Sequence, residues 1–266
     1  VIFFNFRADR ARELTAAMTQ IEFPPFERED FRSLGGFVMM TPYDDKFEGV
    51  PAAYQKPKVP MTLGEVVSRF GWKQLRIAET EKYAHVTYFF SGGAEQVFDG
   101  ETRVLVPSPR EIATYDLKPE MSAGELTERL LEELEKEAYQ LVVLNFANCD
   151  MVGHTGNIRA AIRAVEAVDA SLAKILDWVK SHDAFAILTA DHGNCEMMRR
   201  EDGEPLTAHT LQKVPLVVID PKRGTEIQLA EGGRLCDIAP TMLELWGKKP
   251  PKEMTGKSLT HQRYQK

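Results

Sequence analysis

The sequence predicts an α/β fold in which a mostly parallel sheet is flanked by helices. Two short apolar runs, one opening the stretch 141–156 and one opening the stretch 184–194, are typical of buried strands. Between them, residues 158–179 keep apolar positions at a period near 3.6, which predicts a long amphipathic helix. Strand, helix and strand in this order predict a parallel pair with a right-handed crossover, so both strands would end at the same edge of the sheet.

Shorter patterns predict the other elements in chain order. Apolar runs predict strands at 1–6, 37–41, 74–78 and 214–219, and a run crowded by prolines predicts an edge segment at 104–109. Helices are predicted at 7–18, 63–70, 122–136 and 236–246, with a charged loop leading into a helix at 79–83 and a turn at 88–93. Ser122 is expected to be the N-cap of its helix, and Glu125 to complete a capping box.

The polar passage 44–60 contains three prolines and predicts a linker. We therefore expect a domain boundary within this passage, which separates a domain at 1–56 from a domain at 57–266. Val1 opens the chain inside an apolar strand pattern rather than before one. The sequence is therefore expected to be the later part of a longer polypeptide.

Composition argues against several classes of partner. Hydrophobic residues make up 43% and charged residues 27%, with a net charge of -7 and no Lys/Arg block, so nucleic acid is not the expected partner. No apolar run approaches the roughly 18 residues that a membrane-spanning helix needs. Three cysteines without C-x-x-C spacing favour a reducing cytoplasm over a disulfide framework. Cys149 and Cys195 lie beside candidate ligands, and packing is favoured over a thiolate role for them.

The strongest candidate site is a group of carboxylate and imidazole side chains in three loops at strand ends. A lone Asp or His at a strand end usually caps a helix or bonds a loop, but five at one sheet edge favour a metal site. Oxygen and nitrogen ligands indicate manganese, zinc or iron, and less strongly magnesium. Five ligands exceed the needs of one tetrahedral ion, which favours two ions. The predicted ligands are Asp150, His154, Asp191, His192 and His209.

Three basic residues are candidates for anion binding. Arg7 and Arg10 lie three residues apart in the predicted first turn of a helix, where free N–H groups and the helix dipole favour an anion. The alternative is a solvated charged face balanced by nearby acidic residues. Lys82 lies between acidic neighbours and is either a surface lysine or a point charge directed at a phosphate.

Several motifs together resemble one known family. They are F-F-N-F-R-A-D-R at 3–10, A-E-T-E-K-Y-A-H-V-T-Y-F-F-S-G-G at 78–93, N-C-D-M-V-G-H-T-G at 148–156, T-A-D-H-G-N at 189–194 and T-A-H-T at 207–210. This set resembles the cofactor-independent (2,3-bisphosphoglycerate-independent) phosphoglycerate mutases of the alkaline phosphatase superfamily, over essentially the whole chain. The resemblance implies an alkaline-phosphatase-like metal-binding domain at 57–266 and, at 1–56, the end of a second α/β domain, the substrate-binding transferase domain.

The resemblance also implies an activity and roles for the site residues. The activity is the isomerisation of 3-phosphoglycerate and 2-phosphoglycerate through a phosphoserine, in glycolysis and gluconeogenesis, by a cytoplasmic enzyme that is a monomer at full length. It uses two divalent ions, manganese first and cobalt or zinc as alternatives, and no bisphosphoglycerate. Asp150, His154 and His209 would hold one ion, and Asp191 and His192 would contribute to the other. Lys82 would contact the transferring phosphoryl group, and Arg7 and Arg10 would bind the substrate's anionic groups.

The chain departs from the family pattern at one point. The nucleophilic serine and one aspartate ligand of the family precede the segment that corresponds to Val1, and Ser91 in S-G-G does not correspond to the nucleophile. The second ion would therefore lack two ligands in this chain alone. Three alternatives stay open: a metal-dependent phosphomonoesterase, a phosphopentomutase, and an inactive metal-binding fragment.

Overall fold

The computed structural model describes residues 4–8, 10–44, 46–55, 58–224 and 227–260. The chain divides into two compact units, Val1–Lys58 and Val59–Lys266, which are described separately. The assignment of 1–56 and 57–266 to two domains of different function remains a prediction.

The first unit contains one helix, α1 (Ala11–Thr19), among its described residues. Arg10 is the N-cap and Arg7 precedes the helix, so the prediction that both lie in its first turn is wrong. The predicted strand at 1–6 is also wrong for its described residues 4–6, which are irregular, while residues 1–3 lie outside the description. At 37–41 the structure has only an isolated bridge between Met39 and Ala52, because the described part of this unit offers no strand for a continuous ladder.

The second unit is built on a three-stranded parallel sheet. Its strands β1 (Gln74–Glu79), β2 (Glu101–Val106) and β3 (Leu141–Asn145) lie in the order β2-β1-β3. Every residue of β1 is buried, as expected for the central strand of a parallel sheet that is covered on both faces. β2 lies at the edge, as predicted for 104–109, but it begins at Glu101 and ends at Val106, before Pro107 and Pro109.

Two further strands form a separate antiparallel sheet. β4 (Ala186–Thr189) pairs with β5 (Leu216–Ile219), and Ala186 lies opposite Ile219. The predicted parallel pair between β3 and β4 is therefore wrong. Instead, both strands line a cavity of about 1630 Å³ with apolar side chains such as Leu144 and Leu188, and no described strand pairs with the second edge of β3.

Helices cover both faces of the three-stranded sheet. The helices described in this unit are α2 (Leu63–Arg69), α3 (Thr80–Ala84) followed by a π-helical turn (His85–Phe89), α4 (Ala123–Lys136), α5 (Asn148–Gly153), α6 (Ile158–Ser181) and α7 (Ile238–Leu245). The long helix predicted at 158–179 is confirmed as α6, with the Asn157 side chain accepting a hydrogen bond from the Ala160 N–H. None of the helices in the described ranges combines the length and hydropathy of a membrane span.

Two local predictions about helices need correction. Ser122 is the N-cap of α4, but its hydroxyl donates to the Pro107 carbonyl at 2.7 Å, so the predicted capping box does not form. The apolar face of α6 is buried less widely than its periodicity predicted, because Ile162 and Val165 are 54% and 47% exposed. In both cases the position of a neighbouring segment decides the outcome, and local sequence does not encode that position.

A buried carboxyl at the end of β1 predicts a pH-dependent stability. Burial raises the pKa of Glu79 to about 7, although its carboxylate accepts a hydrogen bond from the Ser108 hydroxyl at 2.9 Å. A carboxyl whose pKa is higher in the folded than in the unfolded protein binds more protons when folded. Its contribution to stability is therefore present at low pH and is lost as the pH rises through about 7.

Glu79→Gln should remove this loss. The difference in the free energy of unfolding, variant minus wild type, should be roughly 1–3 kcal/mol more positive at pH 8 than at pH 5, measured by urea unfolding at both pH values. The exposed Glu128→Gln is the matched control and should show no such difference. Equal behaviour of the two variants would contradict a raised pKa at Glu79.

Candidate metal centre

The first part of the site lies immediately after β3. The loop predicted to carry Asp150 and His154 within 141–156 is wrong in detail, because Asn148–Gly153 forms the short helix α5, with His154 as its C-cap. Residues four apart share a face of a helix, and the Asp150 Oδ1 lies 3.0 Å from the His154 Nε2. The spacing in the sequence therefore does bring these two side chains together, through a helical turn.

The other predicted ligands follow β4 and precede β5. The turn that carries Asp191 and His192 is joined to the segment of His209 by a bridge between Gly193 and Thr210. His209 Nε2 consequently lies 3.1 Å from Asp150 Oδ1 and 3.1 Å from His154 Nε2. The His192 ring stacks on the His209 ring, with centroids 3.7 Å apart.

The arrangement of donors fits a divalent cation. One ligand atom from each of Asp150, His154 and His209 lies within 4.8 Å of the others. Ligands bound to one tetrahedral ion at 2.0–2.1 Å are about 3.3 Å apart, close to the separations found here. His154 Nδ1 lies 2.6 Å from the Thr207 carbonyl and must donate to it, which leaves the lone pair on Nε2, toward the cluster.

His192 supplies a further observation in favour of a cation. Its Nε2 is buried and has no hydrogen-bond partner among the described residues. The nearest carboxylate oxygens are Asp191 Oδ1 at 3.7 Å and Asp150 Oδ2 at 4.0 Å. The prediction that Asp191 and His192 contribute to a second ion remains a prediction.

Lys82 provides positive charge within the cluster. Its side chain is 2% exposed, and Nζ lies 2.8 Å from Asp150 Oδ2 and 3.5 Å from Asp191 Oδ2. The alternative of a surface lysine is therefore wrong. Burial would raise the pKa of Asp150, but the hydrogen bond and charge of Lys82, with Asn194 and His154, outweigh burial and hold it well below its usual value.

Burial lowers the pKa of His209, and the neighbouring His192 imidazole acts in the same direction. Its imidazole is therefore neutral near pH 7, and neutral imidazole is the form that binds a metal ion. Asp150 is ionised under the same conditions because its pKa is depressed. Both groups are thus in the protonation state that metal binding requires.

Three residues that the sequence analysis did not single out connect the ligand segments. The Asn194 side-chain amide donates to Asp150 Oδ1 at 2.8 Å and to the Asp150 carbonyl at 3.1 Å. Glu196 accepts a hydrogen bond from the Asn194 N–H at 2.6 Å and another from the Thr210 hydroxyl. The sequence signals these contacts only through Gly153 and Gly193. A Cβ at Gly153 would overlap Asn194, and a Cβ at Gly193 would overlap Thr210 and Glu196.

The remaining residues considered in the sequence analysis are Arg7, Arg10, Ser91 and Cys195. Arg7 and Arg10 are exposed residues of the first unit, and their binding role remains a prediction. Ser91 is buried after the π-helical turn. Cys195 packs against an apolar cluster that includes Val152 and Ala161, in agreement with the packing interpretation of this cysteine.

The convergence of a carboxylate and imidazoles beyond the ends of strands defines a metal-binding α/β protein. The chain belongs to the Metalloenzyme superfamily, whose family model matches residues 15–250. The predicted fold class is thereby confirmed, and its second part, the end of a transferase domain, remains a prediction.

Comparison with individual relatives gives more specific information than the superfamily match. The chain is 56% identical over 97% of its length to the 2,3-bisphosphoglycerate-independent phosphoglycerate mutase of Syntrophotalea carbinolica, and 54% identical to that of Lawsonia intracellularis. It also resembles a crystal structure of Leishmania mexicana phosphoglycerate mutase at low cobalt concentration, with a TM-score of 0.86 and 33% identity over 97% of the chain. The chain spans about half the length of these relatives, 50% of the two curated proteins and 49% of the crystallised one.

Proposed function

We propose that this chain is the metal-binding half of an enzyme that interconverts 3-phosphoglycerate and 2-phosphoglycerate through a phosphoserine, without bisphosphoglycerate. The observation that carries the proposal is the convergence of Asp150, His154 and His209 within 4.8 Å. The proposed reaction is supported by relatives that are 50–56% identical and are named 2,3-bisphosphoglycerate-independent phosphoglycerate mutases. We further propose that the enzyme is cytoplasmic and is a monomer at full length.

The cluster residues divide into ligands and substrate contacts. Asp150, His154 and His209 would hold one ion, and Asp191 and His192 would contribute to a second. When bound, two divalent ions, manganese first with cobalt or zinc as alternatives, would lower the pKa of the serine hydroxyl and neutralise charge on the phosphoryl group. Lys82 would add its own charge at the transferring phosphoryl group, and Arg7 and Arg10 would orient the glycerate through paired donors.

The nucleophilic serine and one further aspartate ligand would come from the upstream half that the relatives carry. The cavity of about 1630 Å³ lined by β3 and β4 supports this proposal, because its walls are mostly apolar and extend to Asp150, Asp191 and His192. A strand of the upstream half that paired with the second edge of β3 would bury these walls. Its carboxyl end would then lie near the cluster.

Complementation with the upstream half of a relative tests the proposal. The upstream half of the Syntrophotalea carbinolica relative, co-expressed with this chain and supplied with Mn²⁺, should give phosphoglycerate interconversion without added bisphosphoglycerate. A parallel preparation with Asp150→Asn should give none. A metal-loaded complex that hydrolyses phosphomonoesters without interconverting phosphoglycerates would favour the phosphatase alternative, and a complex that does neither would favour the inactive fragment.

The two arginines distinguish a mutase from a simple phosphatase. In the complemented enzyme, changing Arg7 and Arg10 together to Ala should lower kcat/KM for interconversion by at least about 100-fold, because the substrate loses its charged donors. Slow hydrolysis of p-nitrophenyl phosphate should stay within about threefold of wild type, since that substrate carries no glycerate to orient. Arg32→Ala, an exposed arginine of the same unit, is the matched control. Retained interconversion in the double variant would remove the assigned roles.

A further inference from the structure

Two of the ligand-bearing segments are tied to each other by one carboxylate. Glu196 Oε2 accepts the Asn194 N–H at 2.6 Å, beside the turn of Asp191 and His192. Glu196 Oε1 accepts the Thr210 hydroxyl, one residue after His209. The Thr210 N–H also donates to the Gly193 carbonyl at 3.0 Å, so the two segments meet through both backbone and side chains.

The same carboxylate reaches the third ligand segment through Asn194. While Glu196 holds the backbone of Asn194, the Asn194 side chain donates to both the carboxylate and the carbonyl of Asp150. Asn194 and Thr210 are buried, whereas Glu196 is exposed, so these hydrogen bonds are partly buried. A set of five hydrogen bonds thus links α5, the turn after β4 and the segment before β5.

The turn of Asn194 and the segment of Thr210 approach each other so closely that they determine which residue can occupy position 193. A Cβ at Gly193 would overlap the Thr210 hydroxyl and the Glu196 carboxylate. Only glycine therefore permits the bridge and the two Glu196 contacts at the same time. Each Glu196 oxygen accepts one hydrogen bond, Oε2 from the Asn194 N–H and Oε1 from the Thr210 hydroxyl.

We propose that Glu196 is a positioning residue for the metal centre, which sets His209 against His192 and Asp150 through its contacts with Thr210 and Asn194. The proposal rests on the metal-binding function proposed above. The stacked rings of His192 and His209, 3.7 Å apart and inclined by 22°, are the geometry that the contacts maintain. Groups that orient metal ligands commonly change metal affinity by about 10- to 100-fold when they are removed.

Cobalt titration of the purified chain tests the proposal, because bound Co²⁺ reports both its affinity and its ligand geometry through visible absorption. In Glu196→Gln and Thr210→Val, the affinity should fall by about 10- to 100-fold and the absorption band should change shape. Thr210→Ser keeps the hydroxyl and should restore wild-type binding. Glu201→Gln, an exposed glutamate on the neighbouring loop, is the matched control and should bind as wild type does.

A double variant separates positioning from a general loss of stability. If Glu196 acts through Thr210, then Glu196→Gln combined with Thr210→Val should weaken cobalt binding by less than the product of the two single effects. Circular dichroism of the metal-free variants checks that each is folded, and Thr210→Val carries the test if Glu196→Gln is not. Wild-type affinity and absorption in both folded single variants would overturn the proposal. Failure of the wild-type chain to bind cobalt would instead overturn the metal function on which the proposal rests.

Discussion

Asp150→Asn is expected to weaken divalent-metal binding by about 100- to 1000-fold, the largest effect of any single change in this chain. Asp150 Oδ1 is the atom shared by the cluster, at 3.0 Å from His154 Nε2 and 3.1 Å from His209 Nε2. Asparagine keeps the shape of the side chain but removes the charge that offsets the cation. Elemental analysis after dialysis against a metal buffer should give less than about a tenth of the wild-type content of manganese or cobalt.

The matched control for this experiment is Asp177→Asn on α6, because Asp177 is 76% exposed and lies outside the cluster. It should retain the wild-type metal content. Equal metal content in Asp150→Asn and Asp177→Asn would show that Asp150 is not a ligand. The interpretation of the whole cluster would then fail, because both imidazoles approach this carboxylate.

Lys82→Met is expected to destabilise the metal-free protein by about 3–5 kcal/mol. The reason is that Asp150 is largely buried and loses the ammonium group 2.8 Å from its Oδ2, so an uncompensated charge remains in the interior. The free energy of unfolding should be measured by urea titration with a chelator present. Added Mn²⁺ should reduce the difference from wild type, because a bound cation neutralises the same carboxylate.

Lys222→Met provides the comparison for an exposed pair. Lys222 is 68% exposed and contacts Asp183 at 2.5 Å, and loss of such a pair should cost less than about 1 kcal/mol. Similar destabilisation by Lys82→Met and Lys222→Met would mean that the ion pair of Lys82 contributes no more than a surface contact. Because both lysines form an ion pair, the comparison of the two variants measures the effect of burial.

Elements with a strong local signal were predicted correctly. Helix α6 follows from a sustained apolar period, and β1 follows from a short run that is buried on both faces. The pair Asp150 and His154 also follows from local spacing, because residues four apart meet on one helical turn. The helical turn itself was not predicted, since six residues that follow a strand carry too weak a periodicity.

Predictions failed where a distant segment decides the structure. The apolar run of β4 is compatible with several partners, and it pairs with β5 rather than with β3. Ser122 has the composition of a capping residue, but the Pro107 carbonyl lies close enough to accept its hydroxyl instead. The burial of Lys82 and the contacts of Glu196 likewise depend on segments far away in the sequence.

The sequence by itself determined the α/β class, the strand-end placement of the acidic and imidazole residues, and the family that their motifs resemble. These properties depend on residue type and short-range spacing, which can be read directly from the sequence. Only the tertiary structure decided that His154 and His209 both approach Asp150 Oδ1 and that Lys82 is buried against Asp150. It also decided that Glu196 joins the segments that carry the ligands. Such contacts depend on how separate turns pack together, and packing brings together residues whose separation along the chain carries no signal of their contact.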